Sequence, residues 1–158
     1  MANMVIPLEI VKLLQAADWI ALATRDSTGE PNVANKFLIK CEKDTVFLVD
    51  YAKGRTWENI NSYPRVAFPI MDTDNLIDYQ LSGVAQILDK GVLHDELIQY
   101  LATREIQFST KRVIEGIRRE RSHGSFEFPD INNAVIIKIE IDDIISRGSR
   151  IRIREKRQ

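Results

Sequence analysis

Residues 45–70 read TVFLVDYAKGRTWENINSYPRVAFPI, and this stretch says more about the architecture than any other part of the chain. Two apolar runs, TVFLV and VAFPI, flank a basic turn with Gly54 and a segment of helical length. The pattern predicts a strand, a short helix over 53–63 and another strand. Because the first backbone N–H groups of a helix lack intrahelical partners, the helix start with Arg55 and Thr56 is suited to hold a phosphate.

Further strand-like runs, joined mostly by short turns, extend from this stretch in both directions. The predicted elements are a helix over 7–18, strands over 19–24, 32–40 and 45–51, the helix over 53–63, strands over 65–71 and 78–88, a helical insert near 93–123, and strands over 134–141 and 149–154. Short links between consecutive strands favour antiparallel pairing. We therefore expect a mainly β protein, an antiparallel split barrel of six or seven strands with these helices added.

The composition is that of a single globular domain, residues 1–158. A net charge of −1 argues against bulk binding to nucleic acid or to a membrane surface. One cysteine, Cys41, excludes an internal disulfide, and two histidines, His94 and His123, do not predict a metal site. The N-terminal sequence does not read as a signal peptide, and no apolar run reaches membrane length, so we expect a cytoplasmic protein.

Polar and basic side chains occur on the second strand, at the end of the third strand and at the helix start. Alternation along this strand predicts one face with Lys36, Leu38 and Lys40. It predicts the opposite face for Asn35, Phe37 and Ile39. A basic strand face beside a basic helix start suits one anionic ligand, and the alternative is a set of solvent-facing charges on an edge strand. The usual catalytic motifs are missing, so no catalytic residue is assigned.

Taken in order, these segments resemble the pyridoxamine 5′-phosphate oxidase-like family of FMN-binding split barrels. The matching segments are ALATRDSTGEP at 21–31, FLIK at 37–40, TVFLVD at 45–50, GRT at 54–56, YPRVA at 63–67 and LSGVA at 81–85. The resemblance covers about residues 8–90. It implies an FMN-dependent oxidoreductase acting on a small molecule, in a homodimer that holds FMN in two clefts at the subunit interface.

The resemblance also implies which residues bind FMN. The turn after the third strand supplies a basic residue and a hydroxyl for the phosphate, here Arg55 and Thr56. The implied cofactor-binding residues are Asn35, Lys36, Phe37, Lys40, Asp50, Tyr51, Arg55, Thr56, Asn59 and Gln80. Genuine pyridoxamine phosphate oxidases resemble one another at a C-terminal tryptophan, whereas this chain has none after Trp57, so oxidation of pyridoxine phosphate is not implied.

Several alternatives stay open on the sequence. The chain could carry or sense FMN without catalysis, or use the same barrel for a deazaflavin or haem. A haem protein needs an axial ligand, yet His94 and His123 both lie outside the matching residues 8–90. A module that binds a protein partner and no cofactor is the remaining possibility.

Overall fold

The computed structural model describes residues 5–104, 133–146 and 149–152. Its elements, in chain order, are α1 (Leu8–Ala16), β1 (Trp19–Arg25), β2 (Pro31–Glu42), β3 (Thr45–Asp50), α2 (Arg55–Ser62), β4 (Arg65–Asp72), β5 (Ile77–Leu88), α3 described over 92–104, β6 (Val135–Ser146) and β7 (Ser149–Arg152). The predicted helical insert near 93–123 is therefore present as far as residue 104. Its remainder, 105–123, lies outside the described residues.

The strands form one antiparallel sheet that closes on itself. Their order is β3-β2-β1-β4-β5-β6-β7, and β3 also pairs with β6, which closes β1 to β6 into a six-stranded barrel. β7 pairs with the C-terminal end of β6. Between β1 and β4 only Ala23 and Ala67 are aligned as a pair, so the barrel is split at this seam. The predicted mainly β split barrel is confirmed.

Helices α1 and α2 complete the barrel core with their apolar faces. Ile10 and Leu14 of α1 and Ile60 of α2 are almost fully buried in the cluster that fills the barrel. α2 ends at Ser62 because a proline disfavours helical conformation in the residue before it. Tyr63, which precedes Pro64, is extended, with φ −145° and ψ 99°. The chain therefore leaves α2 in the conformation that begins β4.

A bulge in β2 changes which way its side chains face. The register of β2 against β3 shifts between Leu38 and Lys40. Because side chains alternate along a strand, one extra residue moves those after it to the other face. Lys40 therefore lies opposite Phe47 on the outer face, with its Nζ 5.5 Å from the centre of that ring. The expectation that Lys36, Leu38 and Lys40 share one face is wrong for Lys40.

Helix α3 packs on the outside of the barrel over this bulge. Arg104 donates two hydrogen bonds from Nη1, to the carbonyl oxygens of Leu38 at 2.9 Å and Ile39 at 2.8 Å. A second apolar cluster joins the helix to the sheet; its buried members are Ile39, Phe47, Val49, Leu97, Leu101 and Ile136. Here the sheet is covered on both faces, which explains the continuous apolar runs in β3 and β6.

Candidate functional site

The start of α2 places the first backbone N–H groups of a helix beside exposed basic side chains. Gly54 precedes the helix in an extended conformation, and among the described residues no side chain caps the first turn. Arg55 and Lys53 are exposed, and the Lys53 Nζ lies 5.7 Å from the centre of the Trp57 ring. Free N–H groups, the positive end of the helix dipole and two cations together favour an anion. This end of α2 can therefore hold a phosphate group.

Thr56 and Asn59 are buried beneath this helix start, in a polar cluster that joins α2 to β1 and β2. Thr24 Oγ1 accepts hydrogen bonds from Asn59 Nδ2 at 3.0 Å and Asn32 Nδ2 at 3.2 Å. Asn32 Nδ2 also lies 3.3 Å from Thr56 Oγ1. Thr56 and Asn59 are only 3% and 2% exposed, so each has a structural partner and little surface. Their contact with a cofactor stays a prediction.

Sequence reasoning missed Asn32 and Thr24 as members of this site. Both are inward-facing positions near the turn of the β1–β2 hairpin, where Thr24 is paired with Asn32 in register. A polar residue at a core position of each strand was the available signal, since buried polar groups need partners. The two residues fix the side of α2 that carries Thr56.

Lys36 and Asp50 form an ion pair where β3 leaves the sheet. Lys36 Nζ lies 2.6 Å from Asp50 Oδ2, and the side chains are 7% and 15% exposed. Asp50 Oδ1 also accepts a hydrogen bond from the backbone N–H of Ala52 at 3.3 Å. The predicted residues Lys36 and Asp50 are thus brought together, and each already has a partner.

On the opposite face of the same strands, Phe37 and Tyr51 form an aromatic pair. Their ring centres are 5.8 Å apart and the ring planes lie at 64°. Phe37 is 41% exposed, and Asn35 is exposed on the same face of β2. This face therefore presents an aromatic edge and an amide to a ligand.

Two predicted residues lie apart from this group. Lys40 is paired with Glu42 at 2.7 Å, beyond the bulge in β2. Gln80 is exposed on β5, opposite Pro69 of β4, and β4 and β1 separate β5 from β2. Gln80 is therefore not on a strand next to β2 in the sheet.

Acids and thiols with shifted pKa values belong to turns and to the barrel wall. Burial, with a smaller effect of the Glu42 charge, raises the pKa of the Cys41 thiol to about 11. A hydrogen bond from the Thr28 hydroxyl lowers the pKa of Asp26, and one from the Asn75 side chain lowers that of Asp72. These carboxylates stabilise turns. In the described part of the chain, no three His, Cys, Asp or Glu residues are grouped as a metal site requires.

Among the described helices, none combines the length and apolar character needed to span a bilayer. A search of curated proteins finds no significant match to this sequence.

Solved structures with a similar architecture come from proteins with different functions. A protein related to general stress protein 26, of the pyridoxinephosphate oxidase family of Clostridium acetobutylicum, matches with TM-score 0.65 and 14% identity, over 91% of this chain and 90% of its own. An F420 reductase matches with TM-score 0.58 and 19% identity, over 89% and 98%. HutZ, the heme storage protein of Vibrio cholerae, matches with TM-score 0.57 and 15% identity, over 91% and 92%. At sequence identities of 14%, 19% and 15%, these similarities show a shared fold and nothing more.

The family assignment rests on the sequence itself. The family model described as pyridoxamine 5′-phosphate oxidase matches residues 6–146, which include every strand of the closed barrel and the whole of α2. With a match over that much of its length, the chain belongs to the pyridoxamine 5′-phosphate oxidase family.

Proposed function

We propose that this protein binds FMN and acts as a flavin-dependent oxidoreductase on a small molecule. The observation that carries the proposal is the exposed Arg55 at the start of α2, in a chain that belongs to this family. An arginine and free backbone N–H groups form charge-assisted hydrogen bonds with a phosphate. Arg55 would hold the phosphate end of the cofactor. When bound, FMN supplies the transfer of hydride or electrons.

The remaining residues fit a flavin in different ways. Phe37 and Tyr51 offer aromatic surface to the ring system, and Asn35 offers an amide that can donate or accept hydrogen bonds. Thr56 and Asn59 attach α2 to the barrel, Thr56 through Asn32 and Asn59 through Thr24. In this assignment the protein binds and orients the cofactor, and no side chain is assigned as a general acid or base.

A second copy of the chain is the proposed partner. Several apolar side chains are exposed on the outward faces of β1, β2, β4 and β5; they are Trp19, Val33, Phe37, Met71 and Val84. Trp19 and Phe37 are directly opposite each other in the β1–β2 register, so they form one continuous patch. A contiguous apolar patch on a folded surface is typical of an interface. Gln80 is exposed on this side of β5 and would contribute there.

The main alternatives differ in the group that is bound. The fold is shared with an F420 reductase and with a heme storage protein, so a deazaflavin or haem in this barrel is the alternative cofactor. His94, a candidate axial ligand, has its Nδ1 3.0 Å from Asp95 Oδ1. His123 lies outside the described residues. A non-catalytic FMN carrier would bind the cofactor without turnover of a reduced nicotinamide.

The test of the phosphate site compares FMN with riboflavin, which lacks the phosphate. We expect Arg55→Ala to weaken FMN binding about 10- to 100-fold, as expected for loss of a charge-assisted contact. Riboflavin binding should stay the same. Lys12→Ala removes an exposed cation from α1 and is the matched control.

Two outcomes would contradict the proposal. Equal affinity of the wild type and Arg55→Ala for FMN would show that the phosphate does not bind at this site. A Soret band after addition of haem, together with no binding of FMN, would assign the barrel to the alternative cofactor.

A further inference from the structure

The Lys36–Asp50 ion pair continues the pairing of β2 with β3 beyond the last pair of the ladder. That ladder ends with Phe37 opposite Val49, and the next residue along each strand is Lys36 and Asp50. Their side chains meet on the inner face of the barrel. The ion pair therefore joins the two strands at the point where the chain turns away towards α2.

Two other contacts hold the beginning of this turn, residues 51–54. The Ala52 N–H donates to Asp50 Oδ1, which fixes the backbone just after the strand. Tyr51 lies against Phe37 on the outer face and also packs against the apolar cluster beneath α3. The turn is thus attached to the sheet on both of its faces.

The far end of the turn is attached to β2 as well. Asn32 contacts Thr56 in the first turn of α2. Asn32 and Lys36 are four residues apart on one strand, a span of about 13 Å. Within the residues described, 31–36 pair with β1 on one side and with no strand on the other. The turn therefore bridges an open strand edge, and these two attachments determine where Arg55 lies.

Lys36 is poorly suited to bind a phosphate directly. Its charge is already compensated by Asp50, and only 7% of its side chain is exposed. Stability does not explain the pair either, because apolar side chains of similar volume often serve at least as well as a buried ion pair. Arg55, by contrast, is exposed at the helix start.

We propose that Lys36 and Asp50 are positioning residues whose ion pair holds the turn 51–54, so that Arg55 and the first N–H groups of α2 meet the cofactor phosphate. This inference rests on the proposed binding of FMN. It assigns Lys36, a predicted cofactor ligand, an indirect role. Breaking the ion pair should therefore impair recognition of the phosphate and leave recognition of the rest of the cofactor intact.

The experiment measures the dissociation constants of FMN and riboflavin for the wild type, Asp50→Ala and Asp50→Asn. Asp50→Asn conserves the shape of the side chain and provides a folded variant if Asp50→Ala is unstable. Lys138→Met is the control, since it removes the lysine of another ion pair on a strand, 2.9 Å from Glu140 and outside the site. We expect both Asp50 variants to weaken FMN binding, Asp50→Ala about tenfold, with riboflavin within about twofold of wild type. The control should change neither constant.

Each other outcome would overturn the inference in a recognisable way. If Lys36 contacts the phosphate itself, removing the Asp50 charge frees that cation, and FMN binding becomes tighter. If both ligands lose affinity in parallel, the ion pair supports the domain in general and not the phosphate site. A wild-type protein that binds neither ligand would refute the FMN assignment itself, which separates the two failures.

Discussion

Arg65 on β4 reaches across β5 and forms a two-pronged ion pair with Asp142 on β6. Arg65 Nη1 donates to Asp142 Oδ2, and Arg65 Nη2 donates to Asp142 Oδ1 at 2.7 Å. Asp142 is the extra residue where the register of β5 against β6 shifts, next to Gly83. The hydrogen bonds that Arg65 donates to the Asp142 carboxylate raise the pKa of Arg65. The pair therefore links β4 to β6 across β5, at an irregularity of the sheet.

Replacing Arg65 should weaken the barrel without affecting the start of α2. We expect Arg65→Ala to lower the free energy of unfolding by about 1 kcal/mol, because the pair is bidentate but partly exposed. Urea denaturation of Arg65→Ala, Asp142→Ala and the double variant measures this effect. The double variant should be no less stable than the less stable single variant. Additive losses would show that the two side chains do not act together.

Thr24 should matter for stability more than its size indicates. Thr24→Val keeps the shape and removes the oxygen that accepts from Asn32 and Asn59. The buried amide of Asn59 and the half-buried amide of Asn32 then lose an acceptor, which should cost about 1–3 kcal/mol. Thermal denaturation checks this, with Thr103→Val, at an exposed hydroxyl on α3, as the control. Equal melting temperatures for Thr24→Val and wild type would refute the role of the cluster.

Cys41 should be unreactive at neutral pH. Its folded pKa of about 11 lies above the ordinary value of 9.0, so the native thiol is protonated. Alkylation by iodoacetamide at about pH 8 should be slow in the native protein and fast in urea, since the thiolate is the nucleophile. The unfolded thiol ionises first as pH rises from 9.0 to about 11, so this group reduces stability over that range. Equal labelling rates in both states would contradict the prediction.

The apolar face of β1 and β2 should hold two copies together. Trp19 is 53% exposed in the single chain, opposite Phe37. Trp19→Glu should shift the protein from dimer to monomer in sedimentation velocity, because the charge would have to be buried in the interface. Lys12→Glu on α1 is the control and should stay dimeric. A wild-type protein that sediments as a monomer at high concentration would refute the proposed homodimer.

The sequence predicted the barrel well because its turns and apolar runs are local signals. The helix expected over 53–63 is present as Arg55–Ser62, ended by Pro64 as the pattern indicates. The face of Lys40 was not predictable in this way, because the bulge between Leu38 and Lys40 depends on pairing with β3 and on contact with α3. No local pattern in β2 encodes those distant partners.

The candidate site, like the barrel, could be predicted from the sequence only in part. Arg55 is exposed at the helix start, as the Gly54-Arg55 sequence favours. The burial of Thr56 was missed because it depends on Asn32, 24 residues earlier in the chain. The partner of Lys36 was likewise missed, since a lysine on a strand is usually solvated and only the folded register brings Asp50 beside it. The sequence shows which side chains are polar or basic, but it does not show which of them contact each other in the folded chain.

Titration of the purified protein with FMN, followed by absorption and by quenching of flavin fluorescence, bears on the cofactor assignment before any variant is made. We expect saturable binding close to one FMN per chain, a rise in melting temperature with FMN concentration, and weaker binding of riboflavin. Absence of binding, with no effect of FMN on the melting temperature, would contradict the assignment of this protein as an FMN-binding member of its family.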